Sequence, residues 1–377
     1  MNWPKTLLFA FCAHASEQFP DVDMHAMTKE VMRLQRTLFS PEEFGAARNR
    51  EEIRGALAGL TKHLGHLREK VFTDQPVLRT NVKLLSNLVA EADRSFRVGD
   101  KAFARYELMS SLQLCVACHT RTRSPDIVLA EGDFKGATER EKADFYFATR
   151  QFEAGKQIYE ALLKTAKPAD MLEIATPLLI FYSRVKEDPA GGEAFFSQQA
   201  ANAQIPQAER RRFAVWAADF KAWQREPKVA EVTLNESELL AKGKSLLKKK
   251  KGGLVTRLRA SSYLHSVLET PKERSPAKNE ALRLLGEIYE ELDFPLFFRF
   301  GDLYLQNCIE DYPGSPDAKA CYRALEAAVH KRGGGGAEAQ SQGQRHLKHG
   351  VHGGPRRGTR KRGSGSIQRQ SLCALCG

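Results

Sequence analysis

Apolar residues recur at steps of three and four along most of the chain, the spacing that gathers them on one face of a helix. Met24, Met27, Val31, Leu34 and Leu38 form the first stripe, entered after Pro20 with Asp21 or Asp23 available as cap. Ser40-Pro41-Glu42-Glu43 reads as a turn. Asn49 followed by Glu52 fits a capping box, opening a second helix along Ile53, Leu57, Leu60, Leu64, Leu67 and Val71. Pro76 interrupts the chain. A third helix carries Val82, Leu85, Val89, Ala92 and Phe96. Gly99-Asp100 turns it into a fourth, through Phe103, Tyr106, Met109 and Leu112, which runs straight into Cys115. Four amphipathic helices with short connections predict an antiparallel bundle, an all-α domain over 16–124.

Residues 138–332 are also helical in pattern, with a different organisation. Ala143, Tyr146, Phe152, Gly155, Tyr159 and Leu162 fall at small and aromatic spacings. Leu285-Gly286, Tyr289, Gly301, Leu305, Cys308 and Pro313 repeat them more loosely, with an insertion around Phe294 to Phe298. This region resembles a tetratricopeptide array, in which stacked helix pairs build a concave surface that binds partners. Two matches are fewer than such arrays need, so the helices between them, over 170–223 and 254–269, are expected to be degenerate repeats. Lys244 to Lys251 reads as a solvated helix end before Gly252-Gly253.

From Gly333 the composition changes abruptly to Gly, Arg, Gln, Ser and His, which cannot bury a core. The segment 333–377 is expected to be a disordered basic tail. A natural tail and a sequence read out of frame after Gly333–Gly336 both fit it. The net charge of +12 suggests an acidic partner until its distribution is seen. Residues 331–377 hold ten Lys or Arg against one acid, so nine of the twelve charges sit there. The rest is nearly balanced and gives no reason to invoke nucleic acid. No apolar run is long enough to cross a bilayer, so no membrane span is expected.

Met1 to Lys5 carries one positive charge, Thr6 to Ala13 is apolar, and Ala13-His14-Ala15 fits a small-x-small cleavage site before Ser16. Residues 1–15 therefore read as an export signal, with a short buried element as the alternative. Of the seven cysteines, Cys12 would leave with that signal. Cys308 and Cys321 flank Tyr312-Pro313-Gly314-Ser315-Pro316, and two antiparallel helices joined there would bring them close enough to oxidise outside the cytoplasm. Cys373-Ala-Leu-Cys376 is followed by Gly377 instead of His, so a second haem is not expected there.

Cys115-Val-Ala-Cys118-His119 satisfies C-x-x-C-H. Two thiols one helical turn apart can add to the two vinyl groups of a haem, and the adjacent His then supplies the proximal ligand to iron. One covalent haem c is expected, with Cys115 and Cys118 as attachment points and His119 on the metal. The other readings are a dithiol redox pair or half a zinc site. Zinc needs a second ligand pair with similar spacing, and none occurs nearby.

The motif closes the fourth helix of a bundle. In this, residues 21–124 resemble the class II c-type cytochromes, the cytochrome c-prime group, whose haem hangs on the last helix while a residue of the first faces its distal side. That family often ends C-x-x-C-H-x-x-Y-R. Here the order is His119-Thr-Arg-Thr122-Arg123, so the Arg matches and the Tyr does not. The resemblance implies that Arg123 lies near a haem propionate. It also implies a homodimer, unless the appended array covers that face.

The sixth ligand decides the chemistry. Met27, or else Met24, lies on the buried stripe near the start of the first helix, where it could reach the iron; core packing is the alternative. His25 lies off that stripe, and His63 and His66 are expected to face solvent. Thioether ligation leaves no open site. The expected function is then periplasmic electron transfer, with the helical array docking a redox partner. A five-coordinate haem that binds nitric oxide or carbon monoxide, and an interaction scaffold with a structural haem, are the alternatives. No Ser-His-Asp set, carboxylate pair, phosphate loop or HExxH motif stands out, so no enzyme activity is expected.

Overall fold

A computed structural model describes residues 21–74, 76–121, 134–226, 234–248, 253–270, 274–292 and 300–334, with side chains except at 21–23, 70–80 and 331–334. The described residues are all-α and contain no strand. None of their helices is long and apolar enough to cross a membrane. The export-signal region 1–15, Arg123, the insertion around Phe294 to Phe298, and the tail from Gly335 on lie outside the described residues.

The chain divides into two compact units, Met1–Ala328 and Val329–Gly377. In the second, the described residues are 329–334, which are helical. The first begins with α1 (Asp21–Leu38), a short α2 (Pro41–Gly45), a 3-10 turn (Ala47–Asn49), α3 (Arg50–Asp74), α4 (Pro76–Val98) and α5 (Lys101–His119). Ser40 caps α2 by accepting from the Glu43 N–H, and Pro41 stands at its start, where a missing N–H does no harm. Neighbours in sequence pack on one another, α1 on α3, α3 on α4 and α4 on α5. Arg105 Nε donates to the Leu38 carbonyl at 2.6 Å and ties the end of α1 to the second turn of α5.

The expected stripes of α1, α3 and α4 are the buried ones: Met27, Leu34 and Leu38; Ile53, Leu57, Leu60, Leu64 and Leu67; Val82, Val89, Ala92 and Phe96. Two local expectations fail. Asn49 does not open a capping box; it is buried in the 3-10 turn, and its Nδ2 donates back to the Glu43 carbonyl at 2.8 Å. On α5 the stripe is rotated. Phe103 and Tyr106 are exposed and stack on each other, while Ala104, Leu108, Ser111, Leu112 and Leu114 are buried. The reason is that α5 is covered on two sides, by α4 and by α6, so its buried face is not a single three–four row.

The chain continues through α6 (Glu139–Ala148), α7 (Phe152–Thr165), α8 (Met171–Ile180), a π turn (Phe181–Val185), α9 (Pro189–Ala201), α10 (Gln207–Trp223), α11 (Glu236–Leu247), α12 (Leu254–Leu268), α13 (Pro276–Glu291), α14 (Phe300–Asp311) and α15 (Pro316–Gly334). These pack as successive pairs, α6 with α7, α9 with α10, α11 with α12, and α13 with α14. Two pairs share one crossing device. A Cβ on Gly286 would stand 2.6 Å from Leu305 and 3.4 Å from the Gly301 carbonyl; a Cβ on Gly243 would stand 3.0 Å from Leu264 and 3.5 Å from the Ala260 carbonyl. The first helix of each pair thus needs a missing side chain where the second crosses it. Cys308 on α14 and Cys321 on α15 form a disulfide with a Cα–Cα separation of 6.3 Å. One continuous apolar core runs from Met27 to Cys321. Within it α14 also packs on α4, and α12 packs on the π turn and on α13.

Candidate functional site

The motif occupies the last turn and a half of α5. Asp100 caps the start of that helix on the Phe103 N–H, and at the far end the Thr120 N–H bonds back to the Val116 and Cys118 carbonyls. Cys115 and Cys118 are therefore one turn apart on a regular helix, both half-buried and both free thiols. Burial pushes the Cys115 thiol up to about 12, with the neighbouring Cys118 adding to it. Burial raises Cys118 as well, and the Arg121 guanidinium lying against it draws it part of the way back.

His119 is oriented by the next helix. Its Nδ1 is 2.8 Å from the carbonyl of Ala148, the last residue of α6. A carbonyl only accepts, so the imidazole proton is on Nδ1 and the lone pair is on Nε2. Burial, then the charge of Arg150, hold the ring neutral with its pKa down at about 4. A neutral imidazole fixed through Nδ1 on a backbone carbonyl is the arrangement in which Nε2 serves as a metal ligand. Among the described residues no group of three or more His, Cys, Asp or Glu side chains gathers as a metal-ion site.

Past the motif the chain turns inward. Thr120 and Arg121 are buried, and Arg121 Nη2 lies 3.7 Å from Glu269 at the end of α12. Arg121 stays cationic: burial opposes its charge, and Tyr304, Cys118 and Glu269 together outweigh that. Around it lies a buried polar and aromatic cluster drawn from distant parts of the chain. Arg184 of the π turn donates to the Tyr289 hydroxyl at 2.9 Å. That hydroxyl is 3.0 Å from His265 Nε2. Tyr304 stacks on Tyr289 at 5.3 Å between ring centroids and tilts against His265 at 5.5 Å. Burial, with Arg121 and Arg184 near it, keeps His265 neutral. Among the described residues, Arg121 Nε, His265 Nδ1 and Tyr304 Oη of this cluster are buried without a hydrogen-bond partner.

Of the residues expected from sequence, Cys115, Cys118 and His119 share one helix end. Met27 is buried in the core and Met24 half-buried against it. His25 and His66 are exposed and His63 is half-buried. The cluster of Arg121, Arg184, His265, Glu269, Tyr289 and Tyr304 was not legible. These residues come from three helices, a π turn and the residues just past α5, and no local spacing links them. The one signal was Tyr289, which stood in the second repeat-like match for its packing alone.

Comparison with protein-family models, with characterised proteins and with solved structures returns no match.

Proposed function

We propose that this chain is a monohaem c-type cytochrome that works outside the cytoplasm, in the periplasm, as an electron carrier without substrate turnover. The observation that carries the reading is the end of α5: two free thiols one turn apart, followed by an imidazole whose Nδ1 is already used on the Ala148 carbonyl. Cys115 and Cys118 would hold the group and His119 Nε2 would ligate its iron. Arg121 Nε and Tyr304 Oη, buried near Cys118 without a hydrogen-bond partner among the described residues, also suit a cofactor that carries carboxylates. A covalent haem supplies an iron that cycles between ferric and ferrous.

Met27 is the sixth ligand in this reading, with Met24 as the substitute. From the bond joining Arg105 to Leu38, Met27 lies about 16 Å back along α1 and Cys115 about 15 Å on along α5. In an antiparallel pair of the class II cytochrome type, which is the bundle we propose for α1, α3, α4 and α5, these come level. Arg123 keeps its proposed place near a propionate. The paired helices from α6 to α14 are proposed to be a degenerate tetratricopeptide-like array that docks the redox partner. The crossing glycines Gly243 and Gly286 support repetition. The Cys308–Cys321 disulfide supports an oxidising compartment, in keeping with export on residues 1–15.

The test is the optical spectrum of the reduced, purified protein with and without carbon monoxide. A sharp low-spin spectrum that ignores carbon monoxide is expected. A spectrum that shifts on adding the gas would replace the carrier reading with that of a ligand-binding haem protein.

A further inference from the structure

Buried donors without acceptors are uncommon in folded proteins, because each forfeits its hydrogen bond to water with no return. Three in one cluster ask for a ligand. Their chemistry is legible from the network. The Tyr289 hydroxyl accepts from Arg184 and has its own hydrogen to place, and the His265 Nε2 lone pair stands 3.0 Å away to receive it. With the Tyr289 hydroxyl donating to Nε2, the His265 proton is on Nδ1, which has no hydrogen-bond partner among the described residues. Arg121 Nε is a donor in every state, and the Tyr304 hydroxyl carries one more hydrogen. All three side chains are more than nine-tenths buried. A guanidinium, an imidazole N–H and a phenol together are a donor set for a carboxylate, the guanidinium adding the charge that makes such bonds strong. Glu269 does not satisfy it. It is 3.7 Å from Arg121 Nη2, on a side chain nearly half-exposed, and leaves Nε unused.

We propose that Arg121, His265 and Tyr304 form a carboxylate-binding site that receives a propionate of the haem, so that α12 and α14 enclose the cofactor together with α5. The inference rests on covalent haem at Cys115 and Cys118. It changes the part assigned to the C-terminal helices, which become a wall of the cofactor site in addition to a docking surface. Arg184 and Tyr289 act as positioning residues that hold His265 in the donating tautomer. A free small carboxylate has the same chemistry and is the competing occupant.

The experiment uses the full-length, haem-loaded protein, at a pH well above the carboxylate range. Midpoint potentials are measured for the wild type, Arg121→Gln, Arg121→Lys and Tyr304→Phe. Loss of a fixed positive charge favours the ferric ion, so Arg121→Gln lowers the potential, Tyr304→Phe lowers it less, and Arg121→Lys stays near the wild type. All keep covalent haem. Sodium acetate added to the wild type changes neither potential nor spectrum, because the site is filled. If Arg121→Gln and Tyr304→Phe keep both haem and the wild-type potential, the assignment is wrong. Should Arg121→Gln fail to fold, Tyr304→Phe decides it on the same readout. An acetate-dependent shift that Arg121→Lys or Tyr304→Phe weakens would give the site to a diffusible carboxylate and overturn the propionate. Wild-type protein purified without haem would overturn the carrier reading itself, a different failure from an unresponsive potential.

Discussion

His119 and Met27 show how far single side chains carry the account. His119 is held by one bond, Nδ1 to the Ala148 carbonyl, so its orientation depends on where α6 ends. Met27 has two possible duties, filling the core and ligating iron, and one substitution separates them. Met27→Leu conserves volume and should destabilise the fold by less than about 1.5 kcal/mol. If Met27 is the ligand, the reduced protein should then take up carbon monoxide; if the gas is still ignored, Met27 only packs. Met27→Ala should destabilise by about 2–5 kcal/mol in either case, read from the denaturant midpoint. Glu43 supplies a pH test. Arg48 foremost, then Lys135 and Asn49, hold its carboxyl at about 2 against an ordinary 4.5. A depressed pKa stabilises the fold fully above 4.5, and the benefit is lost as pH falls through about 2. Wild type should therefore melt above Glu43→Gln near neutrality, and the gap should close across that window. A gap unchanged down to the lower limit would show that the Glu43 ion pairs do not contribute.

At the scale of elements, the sequence was most readable where one helix face meets one core. The stripes of α1, α3 and α4 are buried as their spacing requires. It failed on α5, because a helix packed on both sides has no single apolar face, and Phe103 and Tyr106 were assigned inward when they are exposed. It also failed at Asn49, whose amide turns back to Glu43 because the short α2 offers it a carbonyl there. Periodicity did not separate the pair α11–α12 as a repeat, since its signature is one glycine set against one carbonyl across the crossing. The motif at Cys115 was legible in full, being contiguous; its buried surroundings were not, being tertiary. Gly286→Val tests the crossing. Its side chain would meet Leu305, and it should destabilise by about 1–3 kcal/mol by thermal or urea unfolding. An unchanged midpoint would mean that α13 and α14 separate easily. Reducing the Cys308–Cys321 disulfide, which closes a short loop, should lower stability by about 3 kcal/mol. Equal denaturant midpoints with and without reductant would remove it from the stabilising contacts.

For the whole molecule, the unit Met1–Ala328 shares one apolar core, so the end of α5 is supported by helices far along the chain. α6 orients His119, and α12 to α14 surround Arg121 and Cys118 with buried donors. The concentration of positive charge in residues 331–377 leaves the remainder close to neutral, which suits docking guided by shape more than by long-range steering. Everything in the functional account descends from one covalent event at Cys115 and Cys118. The most direct measurement is the intact mass of the protein, exported by a host that matures c-type cytochromes, beside its Cys115→Ala/Cys118→Ala variant. The account predicts a wild-type mass raised by exactly one haem that survives denaturation, and a variant without it. A wild-type mass equal to the bare polypeptide, with both thiols open to alkylation, would contradict it.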